Sequence, residues 1–342
     1  MNLHHLLAER QAHNNPVRVG VIGAGKFASM FLAQVPRTPG IHVMAVADLD
    51  PGRARDNLAA VGWPAERYAA SGFDAARRAG TTWVTDDVGA LFENTTIEVV
   101  VEATGDPVAG VGHALAACAH GKSIVMVNVE ADALAGPLLA RRAREAGVIY
   151  SLAYGDQPAL ICELVDWART AGFDVAAAGR GHKWLPEYRT YTPDNVWDGY
   201  GLTPEQARLG GLNPRMFTSL LDGTKPAIES TAVANATGLT PAPAGLAYPP
   251  STYADLPNVM RPRAEGGALD HKGQVEVISS LHPDGTPVGD DVRWGVWVAV
   301  EAGNDYVARC FGEYGLATDD SGRYACLYKR WHLIGLEFGV SI

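Results

Sequence analysis

The sequence predicts an α/β protein: a doubly wound parallel sheet in the first half, followed by an α+β domain. Three observations carry that reading. Short apolar runs alternate with helical patterns up to about residue 152. The first run, Val17 to Ile22, ends on Gly23-Ala-Gly25-Lys-Phe-Ala28 and leads directly into a helical pattern. From about residue 155 the rhythm breaks into long segments rich in glycine, proline and aromatic residues.

The elements of the first half follow in order. Strands are expected at Val17 to Ile22, Ile41 to Ala47, Trp83 to Thr85, Glu98 to Ala103, Ser123 to Val127 and Val148 to Leu152. Helices are expected at about Lys26 to Val35, Arg53 to Gly62, Val88 to Glu93, Val108 to His120 and Ala131 to Ala146. Strands this apolar are buried on both faces, which implies parallel pairing with helices on each side.

The Gly-x-Gly-x-x-Ala turn is a dinucleotide fingerprint in its proper context, after a strand and before a helix. Gly23 makes the tight turn, Gly25 lets the backbone approach a pyrophosphate, and small Ala28 lets the helix pack on the sheet. Lys26 and Phe27 open that helix and join the candidate cofactor residues. Asp48 ends the second apolar run, 25 residues past Gly23. A carboxylate there accepts ribose hydroxyls and repels the extra phosphate of NADP, so Asp48, with Leu49 beside it, favours NAD. Arg53 and Arg55 keep NADP open, or else are solvated residues of the next helix. Ligands of such sheets lie beyond the carboxyl ends of strands, which places Thr104 and Gly105 on the cofactor and Asn128 beside the nicotinamide. This is a Rossmann domain, expected over 1–153, with a substrate and oligomerisation domain over 154–305 and a C-terminal segment, 306–342, packing back on the Rossmann domain.

Composition narrows the partners. The 342 residues are 47% hydrophobic and 19% charged, enough for a substantial core in two domains. A formal net charge of -10 argues against sequence-independent binding to nucleic acid or to anionic membranes. Cys118, Cys162, Cys310 and Cys326 lie far apart, form no CxxC pair and read as reduced thiols of a cytoplasmic protein. No HxxxH, HExxH or clustered Asp/His pattern indicates a metal. The N-terminus shows no run of signal-peptide length and no segment offers 18 apolar residues, so the chain is expected neither to be exported nor to span a membrane.

In the second half, Tyr154-Gly-Asp-Gln-Pro158 leads into a helix, Ala159 to Ala171, and Gly179-Arg-Gly-His-Lys183-Trp-Leu-Pro-Glu-Tyr-Arg189 reads as a functional loop. A helical pattern runs from Pro214 to Asn235, a proline-rich loop from Thr240 to Arg263, and strands from Gln274 to Leu281 and Val292 to Glu301. The last of these alternates as an antiparallel strand with one packed face, its two tryptophans suiting either a core or a subunit interface.

The chain resembles homoserine dehydrogenase. The likeness rests on Gly23-x-Gly25-x-x-Ala28, the Glu102-Ala-Thr-Gly strand end, Gly121-Lys-Ser-Ile-Val-Met-Val-Asn128, and the Tyr154-Gly-Asp-Gln-Pro158 turn, which sits where that family has Gly-Gly-x-Pro. It looks closest to a branch of homoserine-dehydrogenase-like oxidoreductases whose members often continue into a C-terminal SAF-type domain. That domain is not expected here, since the chain stops at Ile342. The resemblance implies NAD(P)-dependent oxidoreduction by a homodimer or homotetramer. Homoserine dehydrogenases follow their fifth strand with Thr-Ala-Asn-Lys, whose lysine reaches the active site, whereas Val129 stands at that position here. The glucose-fructose oxidoreductase family shares Val-Ala-Asp48-Leu-Asp-Pro but needs a Glu-Lys-Pro that this chain lacks.

Hydride transfer at a carbinol carbon needs a group that handles the hydroxyl proton. Lys183 and Lys225 are the leading candidates for the missing lysine. In Asp222-Gly-Thr-Lys-Pro-Ala-Ile-Glu229 a continuous helix would set Asp222, Lys225 and Glu229 along one face, the alternative being a solvated salt-bridged face. Glu130, and less so Asp132, would lie just past the nicotinamide strand, although helix N-termini favour acids for dipole reasons alone. Asp156 is either a site carboxylate or a helix N-cap. His271 and Lys272 read as the polar start of a hairpin. The expected activity is hydride exchange with a small polar hydroxy or oxo compound: a hydroxy acid, aldehyde or polyol derivative, and not homoserine. Two other readings stay open: an epimerase, lyase or retro-aldol enzyme using bound NAD transiently, and a non-catalytic NAD(H) sensor.

Overall fold

The computed structural model of the chain describes residues 2–210 and 212–342. Met1 and Gly211, at the start of the first expected domain and within the second, lie outside them. Two compact units result: residues 1–159 with 333–342, and residues 160–332.

The first unit holds six strands, β1 (Val17–Ile22), β2 (Ile41–Ala47), β3 (Trp83–Thr85), β4 (Val99–Glu102), β5 (Ser123–Met126) and β6 (Tyr150–Leu152), in the order β3-β2-β1-β4-β5-β6, all parallel. Helices α1 (Leu3–Ala12), α2 (Lys26–Gln34), α3 (Pro51–Ala60), α4 (Phe73–Ala79), α5 (Val88–Glu93), α6 (Pro107–Ala119) and α7 (Val129–Ala146) accompany it, while α8 (Gln157–Thr170) begins in this unit and belongs from Leu160 onward to the second. Alternate residues of β1 feed two cores: Val19 and Val21 pack with Phe31 and Leu32 of α2, while Ile22 packs with Met44 and Met126. Burial on both faces is the physical condition for an all-parallel sheet. Because β1 lies between β2 and β4, the chain changes direction of winding there, and the carboxyl ends of these strands leave a crevice.

Residues 333–342 belong to this unit. Phe338 is fully buried and meets Phe31 and Phe27 edge to face, at 4.8 and 5.4 Å between centroids. The Ser341 hydroxyl accepts the amide of Tyr154 at 2.8 Å.

The second unit is built on a mixed sheet of five strands, β7 (Asp174–His182), β8 (Gln274–Ser279), β9 (Val296–Glu301), β10 (Ala317–Thr318) and β11 (Tyr324–Lys329), ordered β10-β11-β9-β7-β8. Residues 306–332 thus continue this unit's sheet rather than forming a separate segment with 333–342. Its helices are α9 (Val196–Tyr200), α10 (Pro204–Leu209), α11 (Pro214–Leu221), α12 (Thr224–Thr237), α13 (Leu256–Val259) and α14 (Asp305–Glu313).

Three sequence expectations are corrected here. The stretch Gly179-Arg-Gly-His182 is the buried end of strand β7, which lies between β9 and β8, and not a loop. A side chain at Gly179 would overlap the carbonyl of Glu276, so glycine is what lets β8 come alongside. Strand β9 is buried on both faces and its sheet is mixed, because the long excursion between β7 and β8 permits their parallel pairing. Its Trp297 is fully buried, whereas Trp294, before the strand, is exposed. Finally, the expected helix from Pro214 to Asn235 is two helices. Gly223, at φ +91°, breaks it after Leu221, a left-handed conformation that a helix cannot continue through. Asp222 therefore caps α11 and does not share a helical face with Lys225 and Glu229.

Candidate functional site

A cavity of about 780 Å³ occupies the crevice beyond β1, β2 and β4. Gly23, Gly25, Asp48, Leu49 and Thr104 line it, together with Arg53 and His113. Gly23 has φ +91°, and a Cβ there would lie 2.7 Å from the Ala103 carbonyl, so only glycine makes this turn without strain. Gly25 is the N-cap of α2 and faces open space, leaving the first amides of the helix clear for an anion.

Asp48 is the centre of this arrangement. Its Oδ2 accepts the amide of Ala24 at 2.8 Å, and its Oδ1 accepts the Asp50 amide at 2.9 Å and Nη2 of Arg53 at 2.7 Å. Burial opposes its ionisation, but the two amides and the guanidinium outweigh it and hold its pKa below the usual carboxylate range. It is therefore a fixed anion. Arg53 is neither purely solvated nor directed away: it spans the cavity wall and Asp48. Arg55 instead folds onto the carbonyls of Pro51 and Val84.

The remaining cofactor candidates take other places. Lys26 is exposed at the first turn of α2, Ala28 is buried against the core, and the ring of Phe27 turns to Phe338. Gly105 is exposed with φ +73°. Asn128 is buried; its amide oxygen caps α7 through Ala131 N at 3.1 Å, and its Nδ2 donates to the Asp106 carbonyl at 2.7 Å. It brackets the two loops after β4 and β5.

His113 lines the cavity and carried no signal in the sequence, and its partner Glu102, which lies behind the cavity wall, figured there only as part of the strand-end motif. Glu102, fully buried at the end of β4, receives the Thr104 hydroxyl and meets His113 Nδ1 at 3.2 Å, and His113 reaches the cavity from α6. The pairing joins positions 11 residues apart in sequence, visible only once α6 folds back over β4.

Glu130 is half-buried in the first turn of α7, and Asp156 precedes α8, with its carboxylate accepting the Gln157 amide at 3.0 Å. Both belong to the first unit. Lys183, Lys225 and Glu229 belong to the second. Glu229 is buried and forms an ion pair with Arg180 of β7, while Lys225 is half-buried on α12. Lys183 follows β7 and lines a cavity of about 380 Å³ with Tyr188, Asp291 and Arg293. Its Nζ donates to the Gly199 carbonyl at 2.7 Å and lies 5.8 Å from the Tyr200 ring. Burial, and then the charge of Arg293, hold its pKa below the usual lysine value. Neighbouring His182 donates from Nε2 to the Leu220 carbonyl, and burial with Arg180 nearby pushes its pKa down to about 3, so it stays neutral.

The glycine turn, the fixed carboxylate and the crevice at the switch point define a dinucleotide-dependent oxidoreductase. Residues 19–152 match the profile of the homoserine dehydrogenase NAD binding domain, so the first unit is an NAD-binding domain. Residues 155–338 match the catalytic domain of oxidoreductase DRL, and the chain belongs to that family. No curated protein matches the sequence. Among solved structures, a homoserine dehydrogenase from Thiobacillus denitrificans is 19% identical, over 66% of this chain and 49% of its own, with a TM-score of 0.45. The 1-deoxy-D-xylulose 5-phosphate reductoisomerase of Zymomonas mobilis, in complex with NADPH, is 18% identical over 65% and 59%, with a TM-score of 0.43. GenD2 from gentamicin A biosynthesis, in complex with NAD, is 21% identical over 48% and 43%, with a TM-score of 0.31. The chain thus spans between 43% and 59% of the length of these proteins. Among the described residues, no helix is long and apolar enough to cross a membrane.

Proposed function

We propose that the protein is a cytoplasmic, homo-oligomeric dehydrogenase or reductase that exchanges a hydride between NAD(H) and a small polar compound bearing a hydroxyl or oxo group. A hydroxy acid, an aldehyde or a polyol derivative fits; homoserine does not, since Val129 replaces that family's lysine. The observation that carries the reading is the ionised Asp48 bound to the glycine turn through Ala24. It supports NAD because a fixed carboxylate there accepts ribose hydroxyls.

When bound, the nicotinamide supplies or accepts the hydride. The chain's own part is to hold the cofactor and to handle the proton on the substrate oxygen. Lys183 is our candidate for the second task, with Lys225 the alternative. Partial burial beside Arg293 favours neutral Lys183, the form able to take a hydroxyl proton. Arg293 gives the same cavity a permanent positive charge for a substrate carboxylate. Glu229 is better read as the structural partner of Arg180.

The test is turnover of a panel of hydroxy acids, aldehydes and polyols, followed by nicotinamide absorbance. Lys183→Met is expected to lower kcat/KM by about 10²-fold or more while leaving the NADH Kd unchanged. Full activity in that variant would remove Lys183 from the mechanism. Substrate conversion without any net absorbance change would replace net redox with transient use of NAD.

A further inference from the structure

The first unit carries a second cavity, of about 650 Å³, with a different chemical character. It opens at the amino ends of β1 and β2, where Arg18 and His42 are second residues of their strands, and so lies at the sheet edge opposite the glycine turn. Four arginines line it: Arg18 from β1, Arg67 from the 3-10 turn Ala65–Tyr68, and Arg77 and Arg78 from the last turn of α4.

Their charge is poorly compensated. Arg18 is 3.8 Å from Glu98, but that carboxylate is already held by Arg10 at 2.7 Å. Arg67 lies over the Trp63 ring at 4.6 Å and, like Arg77 and Arg78, stands in no ion pair among the described residues. The guanidiniums of Arg77 and Arg78 donate no hydrogen bond among those residues. Basic residues in a last helical turn complement the helix dipole, which accounts for Arg77 and Arg78 taken alone. It does not account for Arg18 and Arg67, which reach the same space from other elements. In a chain of net charge -10, four arginines around one polar cavity are a local reversal of sign. The same field helps burial hold the pKa of His42 below its usual value, with Arg18 and Arg67 as contributors.

We infer that this cavity binds a small molecule through two or more phosphate groups, at a site separate from the cofactor crevice. Guanidiniums match phosphate oxygens in bidentate geometry, and four of them exceed the need of one phosphate. The cavity holds more than a single inorganic ion. Arg67 already occupies the face of Trp63, so recognition is by charge and not by stacking on that ring. A free polyphosphate and the phosphate chain of a nucleotide share this chemistry.

Titration calorimetry on the full chain, saturated with NADH so that the glycine turn is filled, tests the inference. The probes are pyrophosphate, tripolyphosphate and ATP, with sulfate as reference. Pyrophosphate and tripolyphosphate are expected to bind one to one, at least about 10-fold tighter than sulfate, with an affinity that falls as salt rises. Arg77→Gln/Arg78→Gln changes only exposed side chains, and is expected to weaken both by at least about 10-fold while the NADH Kd stays within about 2-fold. ATP tighter than tripolyphosphate would make a nucleotide the ligand; the reverse order would make it a free polyphosphate. Binding no tighter than sulfate, or unchanged in the double variant, would overturn the site.

Discussion

The amide of Ala24 donates to the Asp48 carboxylate at 2.8 Å, so the turn after the first strand and the acidic end of the second are one hydrogen-bonded unit. A carboxylate offers about four acceptor positions. Asp48 uses three of them, on Ala24, Asp50 and Arg53, and only Arg53 is an exposed, movable donor. Accepting both hydroxyls of a ribose therefore requires Arg53 to swing aside, where it would meet a 2′-phosphate if one were present.

Cofactor choice should follow these two side chains. Asp48→Ala is expected to raise the NADH Kd by about 10- to 100-fold, the loss of hydrogen bonds to a charged acceptor. Arg53→Ala is expected to weaken NADPH by about 10-fold and to leave NADH within about 3-fold. Fluorescence titration of both cofactors decides it; an equal loss of the two in Arg53→Ala would make the arginine a structural brace only.

Gly23→Ala would place a methyl group 2.7 Å from the Ala103 carbonyl at a φ of +91°. The expected cost is about 1–3 kcal/mol of stability, accompanied by loss of cofactor binding as the turn shifts. Urea unfolding and NADH titration of the same variant give both quantities, and wild-type values in both would show that the turn tolerates a side chain.

Glu229 separates structure from catalysis. Removing one partner of a buried ion pair is strongly destabilising, so Glu229→Gln, which takes its charge away from Arg180, is expected to cost about 3–5 kcal/mol. A variant of normal stability but lost activity would restore Glu229 to the chemistry.

Asp132 should set part of the pH dependence of stability. Burial pushes its pKa up to about 6, only partly offset by the Tyr150 hydroxyl that donates to it at 2.8 Å. A carboxyl with a raised folded pKa stabilises the fold in its protonated form. That contribution is complete below the unfolded value of 3.8 and is lost as pH rises through about 6. Asp132→Asn keeps an acceptor for Tyr150 without the charge. It is expected to be more stable than the wild type by about 2 kcal/mol at pH 8, with a smaller gap at pH 5. Chemical unfolding at the two pH values measures this, and an equal gap at both would place the ionisation elsewhere.

Local pattern and turn chemistry determined the first unit. The runs at Val17–Ile22 and Ile41–Ala47 are strands over those same residues, because period and flanking turns act on neighbours in sequence. The glycine turn and Asp48 were legible as residue types at the ends of recognisable strands, while the hydrogen bond that joins Asp48 to Ala24 is a tertiary contact. Only the tertiary structure decided that Arg53 grips Asp48, that Glu102 meets His113, that Glu229 answers Arg180, and that four arginines from separate elements enclose one cavity. It also turned the expected loop at Gly179 into a strand paired on both sides, since what Gly179 fits is the carbonyl of Glu276, nearly a hundred residues away. Pairings of this kind depend on which distant segments burial brings together, and no local propensity encodes that.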